Sequence, residues 1–303
     1  MPWASAGGGS ATQWLIYDSN ETRFPMSILV MTGLVAVGSF AAGMLGALTG
    51  LGGGMIIVPM LTLAFGVDIR YAIGASLISV IATSSGAAAA YVREGYTNIR
   101  IGMFLEVATT FGALAGAYIA GFITTNALAV IFSLVLMYSA YRSFRPREEH
   151  ATDGPPDKWG TRLRMDGTYP TPQGMQAYTV HNVPTGFSLM FAAGILSGLL
   201  GIGSGAVKVL AMDQAMRLPF KVSTTTSNFM IGVTAAASAG VYLHRGYIDP
   251  VLAFPVMLGV LAGALTGARV LAGAQVKALR TIFTVVIVFL ALEMAYKGLR
   301  GGL

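Results

Sequence analysis

Cysteine is absent from the 303 residues, which excludes structural disulfides, thiolate metal sites and cysteine nucleophiles. Histidine is almost absent: His150, His181 and His244 are the three copies, none within four residues of another, so no clustered metal motif exists and no metal or other cofactor is expected. Charge is scarce as well. Charged residues make up 11% of the chain against 54% hydrophobic, whereas an ordinary soluble protein carries roughly 25% charged residues. That is too little charge to cover a soluble surface of this size. The net charge of +6 does not point to nucleic acid, because the basic residues sit in loops beside apolar runs, where the positive-inside rule expects them.

What is present is long apolar runs. From Pro25 to Phe65 the only residues more polar than Gly or Met are Ser27, Thr32, Ser39, Thr49 and Thr62. Runs of about 20 apolar residues mark bilayer-spanning helices, and these are too uniform for the alternating strands of a barrel. The expected fold is an all-α polytopic membrane protein surrounded by lipid. Residues 1–25 are polar and rich in Gly and Ser, without the charged start and apolar core of a cleavable signal peptide. They form an expected extracytoplasmic segment, and the first span itself serves as the targeting signal.

The chain repeats itself. Shifted by 151 positions, "GMLGALTGLGGGMIIV" (43–58) falls on "GILSGLLGIGSGAVKV" (194–209) without a gap. Gly43, Gly50, Gly52 and Gly54 land on Gly194, Gly201, Gly203 and Gly205; Ser76 lands on Ser227, Tyr91 on Tyr242 and Gly95-Tyr96 on Gly246-Tyr247. Each half, 26–142 and 184–303, holds about five apolar segments: 26–49, 54–67, 71–92, 100–122 and 126–142, then 184–200, 205–217, 222–243, 250–271 and 279–297. An odd count places the halves in opposite orientations, giving two inverted repeats. Between them lies a linker (143–183) rich in Pro, Gly and charge, which reads as having little packed core. It holds the densest basic cluster and is expected on the cytoplasmic face.

The stretch "GALTGLGGGMIIVPML" (46–61) places five glycines inside an apolar segment, although glycine costs a helix about 1 kcal/mol relative to Ala. In lipid every backbone N–H and C=O must find a partner, so unwound backbone occurs only where it lines protein or a water cavity. Paired glycine breaks in two halves therefore point either to a shared central site or to close helix packing. In the first case, N–H groups at a half-helix start favour an anion. Segments 54–67 and 205–217 are too short to span a ~30 Å core comfortably, as half-helices emerging from breaks would be. "GIGSGA" loosely matches a dinucleotide fingerprint, but the strand before it and the acidic residue after it are missing, as is the GK[ST] of a P-loop.

"GMLGALTGLGGGMIIVPML" followed by "AIGASLISVIATSSGAA", with a degenerate copy in "GILSGLLGIGSGAVKVLAM" and "KVSTTTSNFMIGVTAAAS", resembles the TauE/SafE family of the toluene sulfonate uptake permease superfamily. The resemblance covers about residues 28–142 and 185–299. It implies a multi-pass carrier of the bacterial inner membrane that moves sulfur-containing anions such as sulfite, sulfoacetate or other organosulfonates, with protons as a coupling ion. The chain departs from the family pattern at Lys208, where the first half has Ile57, and in "GAS" at 74–76 where members often read GTS. A related class of thiosulfate importers relays substrate on membrane cysteines, a chemistry this chain lacks.

Candidate substrate contacts are the break residues Gly50, Gly52, Gly53, Gly201, Gly203 and Ser204, and the hydroxyl and amide groups Ser76, Ser79, Thr83, Thr224, Ser227 and Asn228. Ser76, Ser79 and Thr83 share one helical face. Hydroxyls and N–H groups replace the water around an oxyanion without holding it irreversibly, or they bond between helices. Charges within spans are costly and mark function by default. Lys208 neutralises a sulfonate, exchanges a proton during transport, or snorkels to an interface. Glu106 carries a coupling proton or pairs with a nearby base such as Arg269. The competing functions are an anion channel of the same fold, a transporter of a non-sulfur organic anion, and a membrane enzyme. The enzyme lacks any convincing nucleophile–base pair.

Overall fold

The computed structural model describes residues 28–49, 53–93, 95–144, 157–171, 174–271 and 276–302. The first half comprises α1 (Ile28–Thr49), α2 (Gly54–Phe65), α3 (Ile69–Arg93), α4 (Ile99–Ala120) and α5 (Thr125–Phe144). The second comprises α7 (Val183–Leu200), α8 (Gly205–Leu210) continued by a π-helical turn (Ala211–Ala215), α9 (Phe220–His244), α10 (Pro250–Leu271) and α11 (Val276–Arg300). Between them lie α6 (Lys158–Arg162) and a hairpin of β1 (Gly167–Thr171) and β2 (Gly174–Tyr178). Apart from that hairpin the described chain is all-α. Each of the ten expected apolar segments is a helix, with ends within a few residues of the periodicity reading.

Four helices, α1, α4, α7 and α10, are long and apolar enough to cross a membrane. The outer faces of α1, α4 and α10 carry large apolar side chains: Val37, Phe111, Phe254 and Leu265 are all more than half exposed, as a lipid-facing surface requires. Their ends are set by local chemistry. Asn98 caps α4 by accepting the Ile101 N–H at 3.1 Å. At the other end of α4, Arg245 donates to the carbonyls of Ala117 and Tyr118, a cation on the carbonyl end of a helix.

The packing follows the 151-residue register. Helix α1 lies on α10 and α4 lies on α7, while α3 meets α9 and α5 meets α11. The contacts correspond residue by residue. Gly43 sits against the backbone of Val260, and Gly194 against that of Thr109; Gly263 meets Phe40, and Gly112 meets Phe191; Gly267 meets Met44, and Gly116 meets Ile195. Adding 151 to the first-half partner of one contact and subtracting 151 from its second-half partner gives the two partners of the other. In every pair a Cβ on the glycine would overlap the facing backbone, so small residues set the helix separation.

The linker departs from expectation. Its described residues, 157–171 and 174–182, pack against the helices. Met165, Tyr178 and Val180 are buried in one cluster with Ile101, Leu105, Met190, Met212 and Met216. Asp157 ties the ends of this insert, accepting from Trp159 N at 2.9 Å and from Val183 N at 2.7 Å, and Asp166 accepts from Val180 N. Asn98 Nδ2 donates to the Tyr178 hydroxyl at 2.7 Å and to the Met165 carbonyl. Burial pushes the Tyr178 phenol above its ordinary value, so it stays neutral. The apolar residues are spread singly through polar sequence and meet only through the hairpin, which is why no local window shows them.

Candidate functional site

The second-half break is a backbone feature before it is a side-chain one. Helix α7 ends at Leu200, capped by Gly201 at φ +65° with its N–H on the Ser197 carbonyl at 2.8 Å. Gly203 follows at φ +68° and Ser204 at φ +46°, and α8 restarts at Gly205. Left-handed backbone suits glycine and is strained for serine. Ser204 is completely buried and its hydroxyl has no hydrogen-bond partner, which is costly for a buried donor. Its carbonyl accepts the N–H groups of Val207 and Lys208 at 3.0 Å, so Ser204 and Lys208 lie one turn apart on one helix face.

Helix α3 meets this break directly. Ser76 donates to the Gly201 carbonyl at 2.8 Å, tying the first half to the second. The register mate of Ser76, Ser227 on α9, donates to the Gly205 carbonyl at 3.3 Å. Other hydroxyls on the same faces bond back to their own helices: Ser79 to the Ser76 carbonyl, Thr83 to those of Ser79 and Val80, and Thr224 to that of Phe220. Asn228 is half-buried on α9. In the first half, Gly53 is buried at the start of α2, where its carbonyl accepts from Ile56 and Ile57. Gly50 and Gly52 lie outside the described residues.

Lys208 is completely buried and Glu106 is 8% exposed, so neither snorkels to an interface. Thr234 joins them. Lys208 Nζ donates to the Thr234 hydroxyl, and that hydroxyl donates to Glu106 Oε1 at 2.7 Å. Thr110 adds a bond to the same oxygen at 3.2 Å. Glu106 Oε2, by contrast, is buried without a hydrogen-bond partner. Among the described side chains the basic partner of Glu106 is thus Lys208; the side chain of Arg269 lies outside the described residues. Thr234 was missed in the sequence reading, although the 151-residue shift that was applied to Ser76 carries Thr83 onto it. Among the described residues no group of three or more His, Asp or Glu is placed to hold a metal ion.

A buried helix break, an occluded ammonium and carboxylate joined by one hydroxyl, and a lipid-compatible outer face define a helical membrane protein built around an internal polar site. The description "Sulfite exporter TauE/SafE" matches residues 34–294, and the chain belongs to that family. Two similar proteins come from Bacillus subtilis. "Probable membrane transporter protein YunE" is 27% identical over 282 residues, covering 90% of this chain and 98% of its own. "Probable membrane transporter protein YdhB" is 27% identical over 241 residues, covering 78% and 89%. A Methanocaldococcus jannaschii relative, also titled a probable membrane transporter protein, is 23% identical over 286 residues, covering 90% and 98%. No solved structure matches. The protein is a membrane transporter rather than an enzyme.

Proposed function

We propose that the protein is a secondary transporter that moves a sulfur-containing anion across the bacterial inner membrane, the anion being sulfite, sulfoacetate or another organosulfonate. Protons are the coupling ion, with Glu106 and Lys208 handling them. One observation carries the anion reading. At the break between α7 and α8, left-handed backbone at Gly201, Gly203 and Ser204 surrounds a buried serine hydroxyl that has no partner. A lone buried donor beside a buried ammonium one turn away is what an oxyanion would complete. The bound anion touches Gly203, Ser204, Ser76, Ser227 and Asn228, and meets the first-half break at Gly50, Gly52 and Gly53.

The two halves are inverted repeats about a pseudo-two-fold axis in the membrane plane. The paired contacts of α1 with α10 and α4 with α7 support this, as does the odd number of segments per half. Such a frame lets one half rock against the other around a central site.

Uptake into proteoliposomes against a panel of sulfite, sulfate, sulfoacetate, taurine and a carboxylate control tests the reading. The expected result is saturable uptake of at least one sulfur oxyanion and little of the carboxylate. Preference for the carboxylate would make the substrate a non-sulfur organic anion. Flux that does not saturate and does not respond to protons would make the protein an anion channel of the same fold.

A further inference from the structure

The duplicated scaffold carries charge at one buried place and none at its mate. Subtracting 151 from Lys208 gives Ile57, and adding 151 to Glu106 gives Met257. Thr234 keeps its hydroxyl in the mate, Thr83. The site on α4, α8 and α9 therefore has a cation and an anion where its counterpart on α10, α2 and α3 has Ile and Met. Both buried charges that the mate lacks occur at the same place and are joined by one hydroxyl. Packing does not require this, because the same frame accepts apolar residues at the mate. Replacing a buried pair by apolar residues is often neutral or stabilising, so a retained buried pair is weak support for a purely structural role.

The bonding around the carboxylate is lopsided. Oε1 accepts from Thr234 and Thr110, while Oε2 is buried with no partner. The other charged groups on the elements packed around the pair are few. Helix α7 has no ionisable side chain. On α9, Lys221 is 13 residues and His244 is 10 residues from Thr234, roughly 20 and 15 Å at 1.5 Å per residue. Arg100 lies near the start of α4, and half-buried Asp213 lies on the turn after α8. Among the described side chains, Lys208 is the cation that Glu106 faces.

Resting on the anion-carrier reading, we infer that Glu106 is a built-in stand-in for the substrate: in the empty carrier it occupies Lys208 through Thr234, and its protonation releases Lys208 to the incoming anion. The proton goes to Oε2, the oxygen without a partner. Thr234 continues to donate to Oε1, and the ammonium turns toward the break, where Ser204 lies one turn away on its own helix. The charge balance is simple. The empty site holds Lys208⁺ and Glu106⁻; the loaded site holds Lys208⁺, neutral Glu106 and a monoanion. Both are neutral, so neither state carries net charge through the low-dielectric interior, where an unpaired charge is expensive. One proton accompanies each monoanion, and the exchange is electroneutral.

Thr234 is a positioning residue in this scheme. It accepts from the cation and donates to the carboxylate, so it sets how strongly the two are coupled. Serine preserves the hydroxyl and valine removes it with little change of shape.

The test uses methanesulfonate, a monoanion whose charge is constant over the working pH range, with the intact chain in proteoliposomes. The parent should take up one proton per anion, and a potassium–valinomycin potential should change the initial rate less than twofold. Apparent affinity should weaken about tenfold per pH unit above the titration of Glu106, the slope for one linked proton. Glu106→Gln should abolish both proton co-movement and that slope, while still exchanging methanesulfonate across the membrane at equal pH. Thr234→Val should shift the midpoint of the pH profile and Thr234→Ser should restore it. Two results would overturn the inference and leave the anion carrier standing: anion uptake by the parent driven by potential without protons, or an unchanged proton slope in Glu106→Gln. Because the proton count and the potential test use the parent, a variant that fails to fold leaves the inference exposed to them. If the parent takes up neither methanesulfonate nor any anion of the panel, the carrier reading and the inference fail together.

Discussion

The hydroxyl of Thr234 lies 2.7 Å from Glu106 Oε1, 128 positions away in the chain, and the hydroxyl oxygen of Thr234 accepts from the ammonium of Lys208. Removing one member of a buried pair strands the other, at a cost of about 3–5 kcal/mol. Lys208→Met should therefore unfold at lower temperature than the parent in detergent, and Lys208→Met combined with Glu106→Gln should recover most of the loss. Equal melting of the single and double variants would show that the two side chains are not coupled.

Substrate binding offers a separate readout at Lys208. Loss of a charged contact of about 1.5–3 kcal/mol corresponds to roughly a tenfold or larger rise in Kd. Lys208→Met should show that rise for the transported anion, and Lys208→Arg should restore binding only in part, because a planar guanidinium fits a different geometry. Parent-like binding and transport by Lys208→Met would remove the ammonium from the mechanism.

At the break, Gly203 has φ +68°, and a Cβ there would come within 2.9 Å of Ile231. Gly203→Val should still be expressed in the membrane yet lose uptake, since its branched side chain fills the backbone approach used by the anion. Expression measured beside uptake checks this. Normal uptake would reduce the glycine to a packing role.

The register mates Gly112 and Gly263 should be equally intolerant. A Cβ on either overlaps facing backbone, that of Phe191 or Phe40, which has no rotamer to change. Overpacking costs about 1–3 kcal/mol even where side chains yield, so Gly112→Val and Gly263→Val should each lower thermal stability markedly. Gly240, with nothing within 4 Å of an added Cβ, should accept Ala without loss. A large gap between the two mates would contradict equivalent packing of α4 on α7 and α1 on α10.

In the linker, Tyr178→Phe should cost about 0.5–1.5 kcal/mol through loss of the Asn98 bond. The change should appear as faster protease cleavage between 157 and 182, with transport retained. Cleavage of that segment from the periplasmic side alone would reverse the proposed cytoplasmic placement.

The helices were legible because each is an apolar run bounded by Gly, Pro or charge, and periodicity needs no tertiary information. Lys208 and Glu106 were legible as charges inside such runs. Their mutual contact was not, because it joins residues about a hundred positions apart through Thr234, a threonine that locally looks like any other helix-face hydroxyl. Ser79, Thr83 and Thr224 illustrate the converse. Their spacing marks a polar face, yet each hydroxyl bonds to its own helix backbone, a choice that sequence spacing does not encode. The packed part of the linker was hidden for a third reason: Met165, Tyr178 and Val180 converge only once the hairpin forms.

Counterflow tests the central claim most directly. Proteoliposomes are loaded with unlabelled sulfite or sulfoacetate, diluted into a trace of the labelled anion at equal pH, and followed in time. An anion carrier predicts a transient accumulation of label above equilibrium, saturating with internal anion and absent from protein-free vesicles. Label that only equilibrates, at a rate indifferent to the anion inside, would contradict the carrier account.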